Sequence, residues 1–231
     1  MKRFLAAIVL FTWCIQNCFA QQADTAAVKK TRTDDCYIGV QINGLINEVF
    51  GGSTNSSIVN QNPYLFTFSE ISKETGWGFR AGLGLQAGTS TNANSTSKIN
   101  FTPDSTFKIF ELHLRVGVEK SFKVYNKIFG GVGMDLVYND IKNDLKLSYT
   151  GFTPGTTGEE VKTTGSSYGG GPVASLRYQF TDRIALGTEA SFYYVTGDEK
   201  ITVVSVGDNG KQTISAGTFN LPIAFYFIVR F

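Results

Sequence analysis

One stretch of the chain carries an acid, a histidine and a base at alternate positions, which are the residue types of acid–base chemistry. The stretch is Glu111-Leu-His113-Leu-Arg115, and His113 is the only histidine among 231 residues. A histidine beside a nucleophilic serine would indicate a lipid hydrolase or acyltransferase, but no His-x-Ser pattern is present. The sequence has no cluster of metal ligands, and its Gly-x-Gly repeats lack the strand–turn–helix context of a phosphate-binding loop. We therefore expect no catalytic residue, no metal and no cofactor.

Ionisable residues instead recur on one face of the predicted strands. This predicted charge network comprises Arg80, Glu111, His113, Arg115, Glu119, Asp135, Arg177, Glu189 and Arg230. Four arginines balance four carboxylates, and ions that face a narrow interior are costly unless they are paired. We expect a salt-bridged plug; the alternative is that the same charges line a narrow ion path.

Period-two alternation recurs along the chain, whereas no sustained helical periodicity follows residue 20, so strands must position these residues. We predict eight strands, at 36–48, 63–72, 77–89, 107–120, 127–139, 168–180, 184–197 and 212–231. The short connections KETG, SFKVYN and TDR alternate with long ones rich in Ser, Thr, Asn and Gly. Short turns at one end and long loops at the other are typical of outer-membrane barrels, whose short turns face the periplasm.

Each predicted strand has one apolar and one polar face; in the fourth, Phe110, Leu112, Leu114, Val116 and Val118 alternate with the charged residues. Two closed designs fit: a soluble lipocalin with its apolar face inward, or a membrane barrel with that face outward. Glycines crowd the polar face, and aromatic residues gather at strand ends, which favours the membrane. The predicted fold is all-β, an eight-stranded antiparallel up-and-down transmembrane β-barrel.

The N-terminus predicts export. Lys2 and Arg3 precede a short apolar run that ends at Ala20, which is typical of a secretory signal peptide. We predict a signal peptide at 1–20, a periplasmic N-terminal segment at 21–35 and the barrel at 36–231. Cleavage would remove Cys14 and Cys18, so we expect no intramolecular disulfide at Cys36. It would also lower the net charge from +2 to zero, since 21 minus 2 basic residues balance 19 acidic ones, and such a chain does not attract nucleic acid.

From about residue 36 the chain resembles the small outer-membrane β-barrel proteins of Bacteroidetes-type Gram-negative bacteria, which are related in architecture to the OmpA and OmpX type and the porin family. Its Gly-rich strands GFRAGLGLQAG and IFGGVGMDLVY and its last strand carry the resemblance. In that class a terminal Phe with apolar residues at alternate positions is read by the barrel-assembly machinery. The resemblance therefore implies an assembly signal at Ile223, Phe225, Phe227, Val229 and Phe231. Pro222 departs from the pattern, and we expect a bulge or a membrane boundary there.

The expected function is that of a non-enzymatic protein of the cell outer membrane. Its charge-paired lumen would be largely occluded, and it would support envelope integrity or bind an extracellular ligand through its loops. A narrow porin-like channel for small solutes is the alternative, and a lipid-modifying enzyme is a third hypothesis. Asn209-Gly210 predicts a hairpin turn, and Leu145, Leu147 and Tyr149 suggest a second extension above the membrane. Expected partners are outer-membrane lipid and the assembly machinery, and we expect a monomer.

Overall fold

The computed structural model describes residues 34–43, 63–92, 104–148, 159–203, 208–220 and 224–231. Residues 1–33, which hold the predicted signal peptide and nearly all of the predicted segment 21–35, lie outside this part of the chain. Within it, no helix is both long and apolar enough to cross a membrane.

The described residues form an all-β, antiparallel, up-and-down sheet. Its strands are β1 (Asp34–Gln41), β2 (Phe66–Ser72), β3 (Trp77–Asn92), β4 (Asp104–Tyr125), β5 (Ile128–Ser148), β6 (Glu159–Gln179), β7 (Ile184–Val203), β8 (Asp208–Asn220) and β9 (Phe225–Arg230). The described residues thus form nine strands where eight were predicted for the chain, because the predicted last strand is divided into β8 and β9.

The division between β8 and β9 has a local cause. Ser191 of β7 pairs with Asn220, and Thr188 pairs with Phe225. From Asn220 to Phe225 the chain advances five residues (225 − 220), whereas the facing stretch of β7 advances only three (191 − 188). The segment between β8 and β9 therefore contains two residues more than the ladder needs. Proline has no N–H for the ladder and favours a bulge. Pro222 itself lies outside the described residues, but the register on either side of it matches the predicted bulge.

The sheet closes on itself. Each strand from β1 to β7 pairs with its sequence neighbours, and β9 pairs with both β7 and β1, while the described part of β8 pairs only with β7. A row of paired residues that starts at Tyr138 and passes once round the ring returns to β5 at Ile128. This stagger of ten residues (138 − 128) corresponds to strands tilted by about 40° in a closed sheet.

The two faces of the ring differ sharply in polarity. Large apolar side chains such as Trp77, Val118 and Leu136 point outward and are more than half exposed, whereas Arg80 and Arg115 point inward and are buried. A lipocalin-like interior requires the opposite arrangement, so the structure excludes that alternative for this sheet.

The polarity of the two faces reverses beyond Tyr138, toward the end of the ring opposite the short turns, which we call the upper end. On β5 the outward positions after Tyr138 are Asp140, Lys142, Asp144 and Lys146, while Ile141, Leu145 and Leu147 point inward. Ion pairs cover the outer face here: Lys146 Nζ lies 3.0 Å and Lys162 Nζ 3.3 Å from Glu160 Oε1. This upper region, the extension, consists of the far ends of β3 to β8.

The extension is longer than predicted. Residues 140–148 and 159–167, which were assigned to the third connection, continue β5 and β6, because apolar and β-branched residues alternate with charged ones through much of them. The extension suggested there is confirmed at Leu145 and Leu147, and Tyr149 lies outside the described residues. The predicted turn at Asn209-Gly210 is wrong: both residues lie in β8, opposite Thr202 and Ile201, and the connection is 204–207.

Cys36 is one of three cysteines in the full-length chain. Its side chain is fully buried beside Phe68 and Ala81, and it is disulfide-bonded. The other two cysteines, Cys14 and Cys18, lie outside the described residues. The expectation that Cys36 forms no disulfide concerns the chain after cleavage at Ala20, and it stays a prediction.

Candidate functional site

Five charged side chains from four strands meet inside the ring, and we call them the central cluster: Arg80 of β3, Arg115 and Glu119 of β4, Asp135 of β5 and Glu189 of β7. The register explains the meeting. Gly117 pairs with Arg80 on one side and Asp135 on the other. A Cβ on Gly117 would collide with Asp135 Oδ1 and the Met134 carbonyl, so the glycine makes room for the charges.

Arg80 contacts all three carboxylates. Its guanidinium lies 2.6 Å from Glu189 Oε2, 3.3 Å from Glu119 Oε2 and 3.3 Å from Asp135 Oδ1. The last contact joins Nε and Oδ1, but these atoms are not aligned for a hydrogen bond. It is an electrostatic contact, weaker than the other two.

Arg115 binds Glu189 through two parallel hydrogen bonds. Its two terminal nitrogens donate to Oε1 at 2.5 Å and to Oε2 at 2.9 Å, and Asp135 Oδ2 lies 3.8 Å away. The guanidinium also lies over the ring of Tyr64, with 4.2 Å from Cζ to the ring centroid. A fork of this kind fixes both the orientation and the depth of the two side chains.

Three tyrosines complete the cluster, and none was predicted as a site residue. Tyr193 donates to Asp135 Oδ2 at 2.6 Å. The single hydroxyl proton of Tyr226 is shared between Glu189 Oε1 and the carbonyl of Tyr64, each 3.2 Å from the hydroxyl oxygen. The alternation of inward and outward positions along a strand, which we call parity, could have identified two of them, because Tyr193 and Tyr226 occupy the polar face of their strands.

The cluster contains three carboxylates and two guanidiniums, a formal charge of −1 (2 − 3). Arg177 lines the same lower cavity as Glu119 and Glu189 and brings the sum to zero. Its guanidinium lies over Tyr37, 3.9 Å from the ring centroid, and 5.6 Å from that of Phe129. A buried set with balanced charge avoids much of the cost of unpaired ions.

His113 and Glu111 form a separate group above the cluster. Nδ1 of His113 lies 2.8 Å from Asn139 Oδ1, and Nε2 lies 3.3 Å from Glu111 Oε2. Asn139 in turn donates to Ser167 Oγ at 3.2 Å. Both ring nitrogens therefore lie within hydrogen-bond distance of a neighbouring side-chain oxygen, and which nitrogen donates depends on the tautomer.

Arg230 lies apart from the other predicted network residues, near the short-turn end of the ring. It donates to Asp35 Oδ1 at 2.9 Å, and Lys73 Nζ is 3.3 Å from the same oxygen. The nine predicted residues thus fall into the central cluster, Arg177 below it, the Glu111–His113 pair above it and Arg230 at the end.

The central cluster separates two cavities of the lumen. The upper cavity has a volume of about 230 Å³ and is lined by Tyr64, Glu111, His113, Asn139 and Tyr193 among others. The lower has about 60 Å³ and is lined by Arg80, Glu119, Arg177, Glu189 and Tyr226 among others. Among the described residues, no group of three potential ligand side chains is placed to hold a metal ion.

The residues of the expected assembly signal lie on β9. Phe225, Phe227 and Phe231 are exposed on the outer face, Val229 is half-buried, and Ile223 lies outside the described residues. The N–H of Phe231 donates to the carbonyl of Cys36 at 2.9 Å, so the end of β9 is held against β1.

No protein-family model matches this chain, and no curated protein does. Among solved structures, similar chains include the toluene transporter TodX of Pseudomonas putida, with 17% identity and a TM-score of 0.34 over 80% of this chain and 52% of TodX. A TodX deletion mutant described as a monoaromatic hydrocarbon channel has 15% identity and a TM-score of 0.32, over 80% and 51%. CarO of Acinetobacter baumannii has 9% identity and a TM-score of 0.33, over 85% and 95%.

These similar structures are outer-membrane β-barrel proteins. The chain spans about half the length of TodX. At these identities and TM-scores, the likeness decides neither the activity nor the substrate of this chain.

Proposed function

We propose that this chain is a non-enzymatic outer-membrane β-barrel protein whose lumen is occluded by the central cluster. The observation that carries the proposal is the combination of an apolar exterior with a closed ring and a charged, buried interior. Exposed apolar area of this extent marks an interaction surface, and only lipid covers such a surface all the way round a closed ring.

The dimensions support a bilayer. On β5, the outward apolar stretch from Ile128 to Tyr138 has eleven residues (138 − 128 + 1). About 9 to 11 residues of a tilted strand cross the hydrocarbon core. Aromatic side chains lie near both limits, with Trp77 and Tyr178 toward the short turns and Tyr138 and Tyr194 toward the extension.

The cost of opening the cluster supports the proposed occlusion. Arg115 and Asp135 have no exposed side-chain surface, and an ion that moves through the lumen would have to separate buried pairs. Removing one partner of a buried pair typically costs about 3 to 5 kcal/mol. The cluster is therefore a barrier built from several pairs that would have to open together.

The contacts of His113 support a structural role. Both of its ring nitrogens are engaged by Asn139 and Glu111, which leaves no nitrogen to activate a serine. The extension, with its charged exterior, is the part that would meet molecules outside the cell. We propose that it carries envelope or surface-binding roles, that the assembly machinery reads β9, and that the protein is a monomer.

A narrow channel for small solutes is the second candidate, and the two cavities favour it, because residues of the central cluster or the tyrosines bonded to it line both of them. Single-channel recording in a planar bilayer tests both, with folding confirmed by a heat-modifiable gel shift. If the lumen is occluded, we expect no channel openings from the wild type and measurable conductance from the double variant Arg115→Ala/Glu189→Ala. Lys142→Gln, on the outer face of the extension, is the matched control and should stay silent.

Steady wild-type openings whose conductance changes in Arg115→Gln or Glu189→Gln would make the protein a channel and refute occlusion. Silence in the wild type together with openings in the double variant would support the plug, since the assay would then have detected an emptied lumen.

A further inference from the structure

Lys120 connects β4 to the turn between β2 and β3 on the outer face of the ring. Its ammonium donates a hydrogen bond to the carbonyl of Thr75, and the N–H of the next residue, Ser121, donates to the carbonyl of Gly76 at 2.8 Å. Trp77 pairs with Lys120 in the ladder and lies beside the same ammonium, with 5.6 Å from Nζ to the ring centroid. This site therefore combines a positioned cation with an exposed aromatic ring.

Lys127 repeats this arrangement at the next hairpin. It lies between β4 and β5, and its Nζ donates to the carbonyl of Phe180, in the connection between β6 and β7, at 3.2 Å. The N–H of Gln179 donates to the carbonyl of Lys127 at 2.9 Å. Beside this contact the exposed rings of Tyr178 and Phe180 pack edge to face, with their centroids 4.9 Å apart. Both sites thus contain a lysine, a turn carbonyl and an aromatic side chain, and we call Lys120 and Lys127 the turn lysines.

Each turn lysine keeps a positive charge that the described residues do not neutralise. An ammonium has three donors, and a carbonyl accepts from one of them without cancelling the charge. The carboxylates of the same turns, Glu74 and Asp182, form no ion pair with either lysine. By contrast, three lysines on the outer face of the extension lie within 3.6 Å of a carboxylate oxygen, namely Lys142, Lys146 and Lys162.

The net charge differs between the two ends of the ring in the same sense. The segments 73–76, 120–127 and 180–183 hold five cations and two carboxylates, a formal charge of +3 (5 − 2). The segments 140–148 and 159–167 of the extension hold three cations and four carboxylates, a formal charge of −1 (3 − 4). An anionic partner therefore fits the short-turn end and not the extension.

The turn lysines lie at the lower limit of the outward apolar band. Lys120 follows Val118, which is 53% exposed on the outer face, and Lys127 directly precedes Ile128, where the apolar stretch of β5 begins. Aromatic girdles mark the boundary between hydrocarbon and head groups. A lysine at that boundary packs its apolar stem along the wall and holds its ammonium at the level of the head groups. At the proposed membrane location, the two charges therefore lie where lipid phosphates lie.

We propose that the turn lysines bind anionic phospholipids of the periplasmic leaflet. The two remaining donors of each ammonium bind phosphate oxygens, while the neighbouring aromatic rings and the apolar wall contact the acyl chains. The positive charge of this end favours a head group with a net negative charge, such as phosphatidylglycerol, over zwitterionic phosphatidylcholine. This inference rests on the proposed membrane location, and it adds a class of lipid and the residues that select it.

Quenching of Trp77 fluorescence by brominated lipid tests the Lys120 site. Trp13→Phe leaves Trp77 as the only tryptophan of the full chain, and a heat-modifiable gel shift confirms folding. Vesicles of unlabelled phosphatidylcholine receive increasing fractions of phosphatidylglycerol or phosphatidylcholine brominated on the acyl chains. The two curves give the relative binding constant of the two lipids beside Trp77. We expect about a fivefold preference for phosphatidylglycerol, which is the contribution of one basic side chain near an anionic membrane surface.

Three substitutions assign the preference to its residue. Lys120→Gln should bring the relative constant close to one, whereas Lys120→Arg keeps the charge and should retain most of the preference. Lys142→Gln, in the extension, is the matched control and should leave the constant unchanged. Equal quenching by both lipids in the unsubstituted site, or a preference that survives Lys120→Gln, would overturn the proposal. Absence of quenching by either lipid would instead contradict the bilayer location, so the two failures are distinguishable.

The Lys127 site has its own reporter, Tyr178→Trp in the Trp13→Phe/Trp77→Phe background. It should show the same preference for phosphatidylglycerol, and Lys127→Gln should remove this preference. Tyr194→Trp in that background, toward the extension, should show no preference, and equal constants at both reporters would refute the Lys127 site. A preference that disappears when inorganic phosphate replaces chloride at equal ionic strength would mean that these lysines bind free phosphate, which would overturn the assignment to lipid.

Discussion

Arg115 and Glu189 hold β4 to β7 across the lumen through two hydrogen bonds, of 2.5 and 2.9 Å, between side chains almost excluded from solvent. These strands are not neighbours in the sheet, so the pair is a cross-brace that the backbone ladder does not supply.

Glu189→Gln should lower the free energy of unfolding by about 3 to 5 kcal/mol, since it leaves two buried guanidiniums with less compensation. Urea unfolding from lipid vesicles measures it. The paired replacement Arg115→Met/Glu189→Leu should lower the free energy of unfolding clearly less than Glu189→Gln does. A single variant as stable as the wild type would show that Glu189 does not neutralise the cluster.

Tyr193→Phe should lower the free energy of unfolding by about 1.5 to 3 kcal/mol, because it removes the hydroxyl that donates to buried Asp135. The adjacent Tyr194 points outward and is 59% exposed. Tyr194→Phe is therefore the matched control and should change stability little. Equal effects of the two substitutions would contradict the proposed hydrogen bond.

Gly117→Ala should lower the folded fraction on a heat-modifiable gel, because the added methyl group meets Asp135 and the backbone of Met134. Overpacking of this kind costs about 1 to 3 kcal/mol. Gly88 faces the same interior higher on β3, and a Cβ there would meet no atom within 4 Å. Gly88→Ala should fold like the wild type, and a comparable loss in both would point to β-propensity rather than crowding.

The extension should lose stability in acid. The hydrogen bond from Lys146 lowers the pKa of Glu160 below its usual 4.5, Lys162 acts in the same direction, and partial desolvation opposes both. A depressed folded pKa means that the contribution is present above pH 4.5 and is lost as the pH falls through the folded value. Amide hydrogen exchange across β5 and β6 should accelerate over that interval, less so in high salt because these charges are exposed. In Glu160→Gln the acceleration should disappear; if it persists, another group is responsible.

Parity along the strands predicted much of the site, since residues two apart share a face and Arg80, Arg115, Asp135 and Glu189 all follow this rule. The alternation of faces could not predict which charged side chains contact each other, because these contacts depend on the register in which neighbouring strands pair. Arg230 shares the face but lies near the short turns with Asp35, and Glu111 lies above the cluster with His113.

The extension was the least predictable part of the fold. Above Tyr138 the apolar residues pass from the outer to the inner face, so a single apolar face no longer marks the strand. Asn209-Gly210 is a strong local turn signal, yet the cross-strand pairs of β7 and β8 carry both residues into the ladder. A bulge or a membrane boundary was expected at Pro222, which lies outside the described residues, but the surplus of two residues between Asn220 and Phe225 depends on the pairing with β7.

The contact between the first and last strands sets the order in which this molecule can fold. Tyr37 pairs with Arg230 and Gln41 with Tyr226, which are 193 and 185 positions apart (230 − 37 and 226 − 41). Contacts of such long range form late and slowly, because the chain loses most of its freedom before they are made. Until they form, β1 and β9 each expose a row of unpaired amides, which is very unfavourable in hydrocarbon. At the proposed membrane location, insertion and closure must therefore be nearly simultaneous, and a chain whose β9 is weakened should accumulate as an unclosed species rather than as a slightly less stable ring.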